Sequence, residues 1–258
     1  MTQQAPLVAT QPTTKIIFQK HGKAFPFLTC RSQNIFLQRA KEMQAPVLYR
    51  LHQQNLWLTA QRSIFWEEQK ALIVSDLHFG KTGHFRKSGI PVPQNIYKED
   101  LQRLVSLLNY FQPQQLIVVG DFFHSHANIE LEWFKKWRED LAHLQIRLVR
   151  GNHDILKDAW YKEAGIEVIE KELLLHPFLF VHDKCEERED VYTFCGHIHP
   201  GIYLSGLGKQ GLRLPCFYFA KDHCILPAFS RFTGTALIEP RRNENVFAIV
   251  ENTLVQMQ

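Results

Sequence analysis

Ala71-Leu-Ile-Val-Ser-Asp76-Leu-His78 is the stretch on which the fold turns. Four apolar residues in a row, then Ser and Asp-x-His, read as a short strand buried on both faces with polar side chains at its carboxyl end. The pattern recurs. Gln115-Leu-Ile-Val-Val119 is a second such strand, closed by Gly120-Asp121, and Ile146 to Val149 is a third, followed by Gly151-Asn152-His153-Asp154. Helical stripes separate them. Tyr97, Leu101, Leu104, Leu108 and Phe111 mark one helix; Trp133, Phe134, Trp137, Leu141 and Leu144 mark another over Ile129 to Leu144. A short third helix ends near Gly165, suited to a C-cap. The order β-α-β-α-β-α predicts an α/β fold with a parallel core.

Outward from this core the pattern changes. Residues 48–66 read as extended. After residue 165, eight short stretches read as strands: Ile166–Ile169, Phe178–Val181, Val191–Phe194, Gly201–Leu204, Cys216–Ala220, Cys224–Leu226, Thr235–Ile238 and Val246–Val250. The economical architecture is one domain in which two sheets share a core, one of them fed mainly by the later strands.

Length and composition agree. The chain has 258 residues with 45% hydrophobic content, enough for one large domain and too apolar for wholesale disorder. No apolar run is long enough to span a bilayer, and the N-terminus has no basic-then-apolar leader pattern, so a cytoplasmic protein is expected. The formal charge of +4 is misleading as a whole-chain figure. Residues 1–45 hold six of the 30 basic residues and one of the 26 acidic ones, which leaves 24 against 25 for the remainder. This segment reads as a poorly ordered extension more readily than as a nucleic-acid-binding arm. Met43, where a more globular pattern begins, is the expected natural start. The five cysteines include no C-x-x-C pair, so reduced thiols without a catalytic role are expected.

The chemistry lies at the strand ends. Asp76-x-His78, Gly120-Asp121-x-x-His124, Gly151-Asn152-His153-Asp154, His182 and Gly196-His197-x-His199 follow one another, and they take up six of the 13 histidines. Each piece alone is ordinary: Asp-x-His is commonly a surface turn, Gly-Asn a backbone turn, and alternating histidines a solvated strand face. Together they sit where α/β sheets assemble their sites, at the carboxyl ends of strands.

These motifs resemble those of the calcineurin-like metallophosphoesterases, over residues 71–200. The resemblance implies a sandwich of two mixed β-sheets flanked by helices, with the domain at 46–258. It also implies two divalent metal ions: one held by Asp76, His78, Asp121 and His199, the other by Asp121, Asn152, His182 and His197. An anionic bridge such as Asp121 is what two cations about 4 Å apart require. Mixed imidazole and oxygen ligation suits Mn²⁺, Fe²⁺ or Zn²⁺; the resemblance favours Mn²⁺. By the same resemblance, a metal-bound hydroxide attacks phosphorus and His153 serves the leaving oxygen, with Asp154 fixing its tautomer and His124 orienting a ligand. His176 rivals His182, but only His182 follows an apolar strand.

A narrower resemblance rests on Asp76-Leu-His-Phe-Gly-Lys81, His84-Phe-Arg86, Gly89-Ile-Pro-Val-Pro93, Leu214-Pro-Cys-Phe217, Leu226-Pro-Ala-Phe229 and Phe232-Thr-Gly234. These are similar to the bacterial ligase-associated DNA damage response endonucleases. A DNA substrate follows from that likeness, with functional association with an ATP-dependent DNA ligase, a helicase and an exonuclease. Lys81 and Arg86 become candidate phosphate contacts. The Pro-Cys-Phe and Pro-Ala-Phe elements read as turns and core. Two other readings stay open: a phosphodiesterase acting on nucleotides or small phosphodiesters, and a scaffold without activity. His153 argues against a relative that cleaves a lipid-A precursor pyrophosphate, which carries Arg at that place.

Overall fold

The computed structural model describes residues 44–81, 95–124, 129–183, 187–205 and 211–257, with the side chains at 95–98, 129, 130 and 133 left out. The expectations for residues 1–43, for Arg86 and for the stretch from His84 to Pro93 lie outside the described residues.

The first sheet has seven strands in chain order: β1 (Val47–Leu51), β2 (Gln54–Thr59), β3 (Ser63–Trp66), β4 (Ala71–Val74), β5 (Gln115–Val119), β6 (Gln145–Val149) and β7 (Ile166–Ile169). β1 to β4 form an antiparallel meander, and β4 to β7 run parallel. The parallel connections pass through α1 (Asn95–Phe111), α2 (Ile129–Asp140) and α3 (Asp158–Glu163).

The second sheet comprises β8 (Glu172–Leu175), β9 (Phe178–Val181), β10 (Tyr192–Cys195), β11 (Pro200–Ser205), β12 (Gly211–Phe219), β13 (His223–Ile225), β14 (Ala236–Leu237), β15 (Asn245–Val250) and β16 (Thr253–Gln256). Its order is β14-β11-β12-β13-β10-β9-β8, with β15 and β16 branching from β12. β9, β10 and β13 are mutually parallel at its centre. Both sheets are therefore mixed, as the sequence suggested.

Alternation along the central strands builds two cores from one run of apolar residues. Leu72, Val74, Leu116 and Val118 face the helices, packing with Leu104, Leu107, Phe134 and Tyr161. Ala71, Ile73, Ile117 and Val119 face the second sheet and meet Phe178, Phe180, Phe194 and Phe217. Among the described residues, all three helices contribute to the first core and none covers the second sheet, whose other face carries a smaller cluster around Ile202, Cys216 and Val246.

Three local expectations need correction. α2 stops at Asp140, yet Leu141 and Leu144 remain buried. A turn continues the apolar stripe, and Arg138 donates to the carbonyls of Leu141 and Leu144 in place of helical partners. β12 begins at Gly211, with Pro215 inside the strand opposite Gly201. Cys216 and Cys224 are buried thiols, but Cys195 is disulfide-bonded, against the expectation of reduced thiols.

Phe194 has no exposed surface and packs its ring against Phe178, Phe180 and Tyr192, at centroid distances of 5.0, 5.5 and 5.7 Å. Phe194→Ala should lower the unfolding free energy in urea by about 3–5 kcal/mol, the usual cost of a large cavity. A loss under about 1 kcal/mol would mean that the interface between the sheets collapses to fill the space.

Candidate metal centre

The parallel register of β4 and β5, Val74 opposite Val118, sets the two strand exits side by side. Hydrogen bonds continue past the strand ends: Asp76 N–H to the Gly120 carbonyl (3.1 Å), His78 N–H to Asp121 (2.8 Å), Phe79 N–H to Phe122 (2.9 Å) and His124 N–H to Phe79 (2.8 Å). The loops after β6, β9 and β10 arrive at the same end and bring Asn152, His182, His197 and His199.

Two groups of ligating atoms result. Asp76, His78 and His199 form one; Asp121, His182 and His197 form the other; within each, the atoms lie within 4.8 Å of one another. His199 Nε2 is 3.2 Å from Asp76 Oδ1. The Asp121 carboxylate faces both groups, Oδ2 lying 3.8 Å from His78 Nε2 and Oδ1 3.4 Å from His182 Nε2. Asn152 Oδ1 joins the second group, 3.1 Å from both His182 Nε2 and His197 Nδ1. The carboxylates are buried at the base, while Asn152 and His197 are exposed at the rim.

The backbone is bent hard to achieve this. Asp76, His78, Asp121, His197 and His199 all have φ between 48° and 64°. The left-handed region costs an L-residue roughly 1–2 kcal/mol. Asp and His tolerate it better than most, and such strain concentrates at functional sites. Gly120 has φ 74°, and a Cβ there would lie 1.9 Å from His182 Nδ1. At Gly196, a Cβ would meet Ser75 Oγ at 2.0 Å and Asp76 Oδ2 at 2.8 Å. These motif glycines are required by close approach to the ligating side chains.

Electrostatics fit a cation. Burial pushes His78 down to about 3, despite the pull of Asp76 and Asp121, so its ring is neutral and its lone pair available. Both of its buried ring nitrogens lack a hydrogen-bond partner, an arrangement costing about 1–3 kcal/mol unless something coordinates them. Burial opposes protonation of His182, but the hydrogen bond to and charge of Asp121, with Asp76 and the Val119 carbonyl, raise it to about 9. Burial likewise resists ionisation of Asp121. His182 and the N–H of His153 outweigh it and bring Asp121 to about 2. His182 Nδ1 lies 3.1 Å from the Val119 carbonyl, which presents Nε2 to Asp121 and Asn152. The donor set, carboxylate, amide and imidazole, suits two divalent first-row cations.

The other sequence candidates divide. His153 donates its N–H to Asp121 Oδ1 at 2.9 Å, and its half-exposed ring lies 4.3 Å from that of His124 and 5.4 Å from that of His78. Burial lowers the Lys81 ammonium, and Asp121 and Asp76 partly restore it, which places it within electrostatic reach of both carboxylates. Asp154 has a different task from the expected hold on His153. Its buried carboxylate accepts the N–H groups of Phe122 (2.9 Å), Phe123 (3.1 Å) and Gly151 (2.9 Å), tying the loop after β5 to the loop after β6. Burial raises Asp154 to about 6, with those N–H groups pulling it back down. Ser75 escaped the sequence reading: its hydroxyl lies 2.5 Å from Asp76 Oδ2 and 2.8 Å from the Val119 carbonyl. A lone serine inside an apolar strand end was the available signal.

The calcineurin-like phosphoesterase profile matches residues 70–224. The crystal structure of Pseudomonas putida nuclease MPE is similar to this chain at 30% identity and a TM-score of 0.70, covering 81% of this chain and all of that one. No curated protein matches.

Gly120→Ala should displace the His182 ring and lower stability by about 2–3 kcal/mol or more. Thermal unfolding and calorimetric titration with Mn²⁺ would read this as a lower Tm and weakened uptake. Uptake identical to that of the unsubstituted protein would contradict the crowding argument.

Proposed function

The chain belongs to the calcineurin-like phosphoesterases, metal-dependent hydrolases that bind two divalent cations, and from this premise we propose that it is a phosphodiesterase cutting DNA. The observation that carries the reading is the pair of ligand groups facing one Asp121 carboxylate. Nuclease MPE, similar over all of its length, supports nucleic acid as the substrate class.

In this proposal Asp76, His78, Asp121 and His199 hold one cation, and Asp121, Asn152, His182 and His197 the other. Two such cations, Mn²⁺ in our reading, supply Lewis acidity to a scissile phosphate and acidify water. The chain's own groups do the rest. Asp121 fixes the loop bearing His153 through that residue's N–H. The half-exposed His153 imidazole gives a proton to the leaving oxygen. The neighbouring His124 ring limits its orientation. Lys81 supplies a positive charge beside the first group for a non-bridging phosphate oxygen. The sequence likeness adds Arg86 as a second phosphate contact. We further infer a role in DNA repair, in functional association with an ATP-dependent ligase, a helicase and an exonuclease, which the sequence likeness supports, and a cytoplasmic location. No helix of the described residues is long and apolar enough to cross a membrane.

With Mn²⁺, the protein should cleave single-stranded DNA and bis(p-nitrophenyl) phosphate. Asp121→Ala should reduce both activities on the order of 10³-fold, comparable to removing a central electrostatic stabiliser. Turnover of the small ester alone would favour the small-phosphodiester reading; neither activity in metal-loaded protein would leave only the scaffold. Arg86→Ala should lower kcat/KM on DNA with metal content intact, and an unchanged value removes Arg86 from the site.

A further inference from the structure

A group of buried charges has no part in the chemistry above. Asp100 and Arg103, one turn apart on α1, are both buried and meet at 3.1 Å. Arg62, in the turn between β2 and β3, adds a second guanidinium, half-buried. All three converge on the irregular segment from Leu226 to Arg231 that follows β13. Both this segment and Arg62 lie outside the stretch matched by the family profile, residues 70–224.

Ala228, Phe229 and Ser230 are buried, so their backbone groups need partners that no strand supplies. Arg62 Nη1 donates to the carbonyls of Ala228 (3.0 Å) and Ser230 (2.7 Å). Arg103 Nη2 donates to the carbonyl of Phe229, and its guanidinium lies 4.1 Å from the centre of the same residue's ring. Asp100 accepts the N–H of Arg231 at 3.3 Å. Two N–H groups go to the metal-bearing strand exit: Phe229 to the Ser75 carbonyl (2.7 Å) and Ser230 to the Asp76 carbonyl (3.1 Å).

Asp76 is the residue that needs such support. It is held at φ 53°, and a strained residue persists only where its surroundings over-determine it. Its N–H is held by Gly120, its carboxylate by Ser75 and the N–H of His197, and its carbonyl by Ser230. Stability alone would not call for the buried charges, since packed apolar side chains often serve as well. Two guanidiniums trained on three successive carbonyls do what packing does not: they fix the direction of a backbone segment.

We propose that Arg103, Asp100 and Arg62 are positioning residues for the first metal group, holding residues 228–231 so that these hold Asp76 in its left-handed conformation. The inference rests on the metal-site reading above and deepens it. The loss should be selective: ligation by Asp76, His78 and His199 weakens, while ligation by Asn152, His182 and His197 does not.

The test is a cadmium titration of metal-free protein followed by cadmium NMR, in which each group gives its own signal. The first-group signal is assigned by its loss in His199→Ala. In the charge-balanced double variant Asp100→Asn/Arg103→Met, affinity at the first group should fall about tenfold or more, the usual effect of losing an outer-shell partner. Affinity at the second group should hold, kcat should fall more than KM changes, and Arg103→Lys should recover part of the loss. Unchanged affinity at both groups, or equal loss at both, overturns the proposal. If the double variant does not fold, Arg62→Gln decides by the same criteria. Unsubstituted protein that takes up no cadmium overturns the metal-site reading, and this inference with it. Two-site uptake with an unaffected double variant overturns this inference alone.

Discussion

One carboxylate organises the site. Asp121 turns an oxygen toward each ligand group and accepts the His153 N–H on one of them, and it does so at φ 52° behind a glycine that has no room for a side chain. Its surroundings keep that carboxylate buried and ionised. Gly120 is empty because His182 fills its Cβ position, and the N–H groups around the loop are satisfied by Asp154 so that they do not compete for Asp121. The Asp121 carboxylate outweighs burial at His182 and raises that imidazole to about 9.

The sandwich makes this arrangement reachable. Parallel strands place successive carboxyl ends on one edge, so β4, β5 and β6 deliver Asp76, Asp121 and Asn152 to neighbouring positions without long loops. The second sheet repeats the device. β9 and β10 are parallel, with Val181 opposite Cys195, so His182 and the His197–His199 pair leave adjacent strands at the same level. Packing Ile117 and Val119 against Phe180 and Phe194 then presses the two edges together.

What the sequence disclosed, and what it hid, divides along physical lines. Central strands buried on both faces leave uninterrupted apolar runs, so β4, β5, β6 and β9 could be read directly. The motif residues could be read because five such pieces, each ordinary alone, follow one another at successive strand ends. β8 escaped because Leu173–Leu175 merges with Phe178–Val181 into one apolar stretch, and only the turn at His176-Pro177 separates the two strands. β16 is an edge strand of mixed polarity, paired only with β15. The end of α2 could not be read because burial of Leu141 and Leu144 is equally served by a helix or by a turn capped from Arg138. Asp154 was misread for a different reason. Adjacency in sequence to His153 suggested contact, but successive residues in a tight turn diverge, and its carboxylate goes to backbone N–H groups some thirty residues away. The 226–231 segment looked like turns and core, which it is; its hold on Asp76 is made by backbone atoms and leaves no mark in residue type.

Charge places substrate binding in the same hands as metal binding. The chain beyond residue 45 has 24 basic and 25 acidic residues, so no bulk field draws in a polyanion. At the centre itself, the buried carboxylates of Asp76 and Asp121 face the His78 ring, which burial keeps neutral, and the His182 ring, which Asp121 raises to about 9. Two divalent cations held by these ligand groups would make this centre positive, beside the ammonium of Lys81. Affinity for a nucleic acid is then conditional on the cations. The half-buried Arg62 and the buried Arg103 direct their hydrogen bonds to backbone carbonyls and Asp100. The protein turns Arg62 and Arg103 to holding the site's shape and, in the proposed reading, leaves attraction of the substrate to Lys81, Arg86 and the cations that the shape would admit.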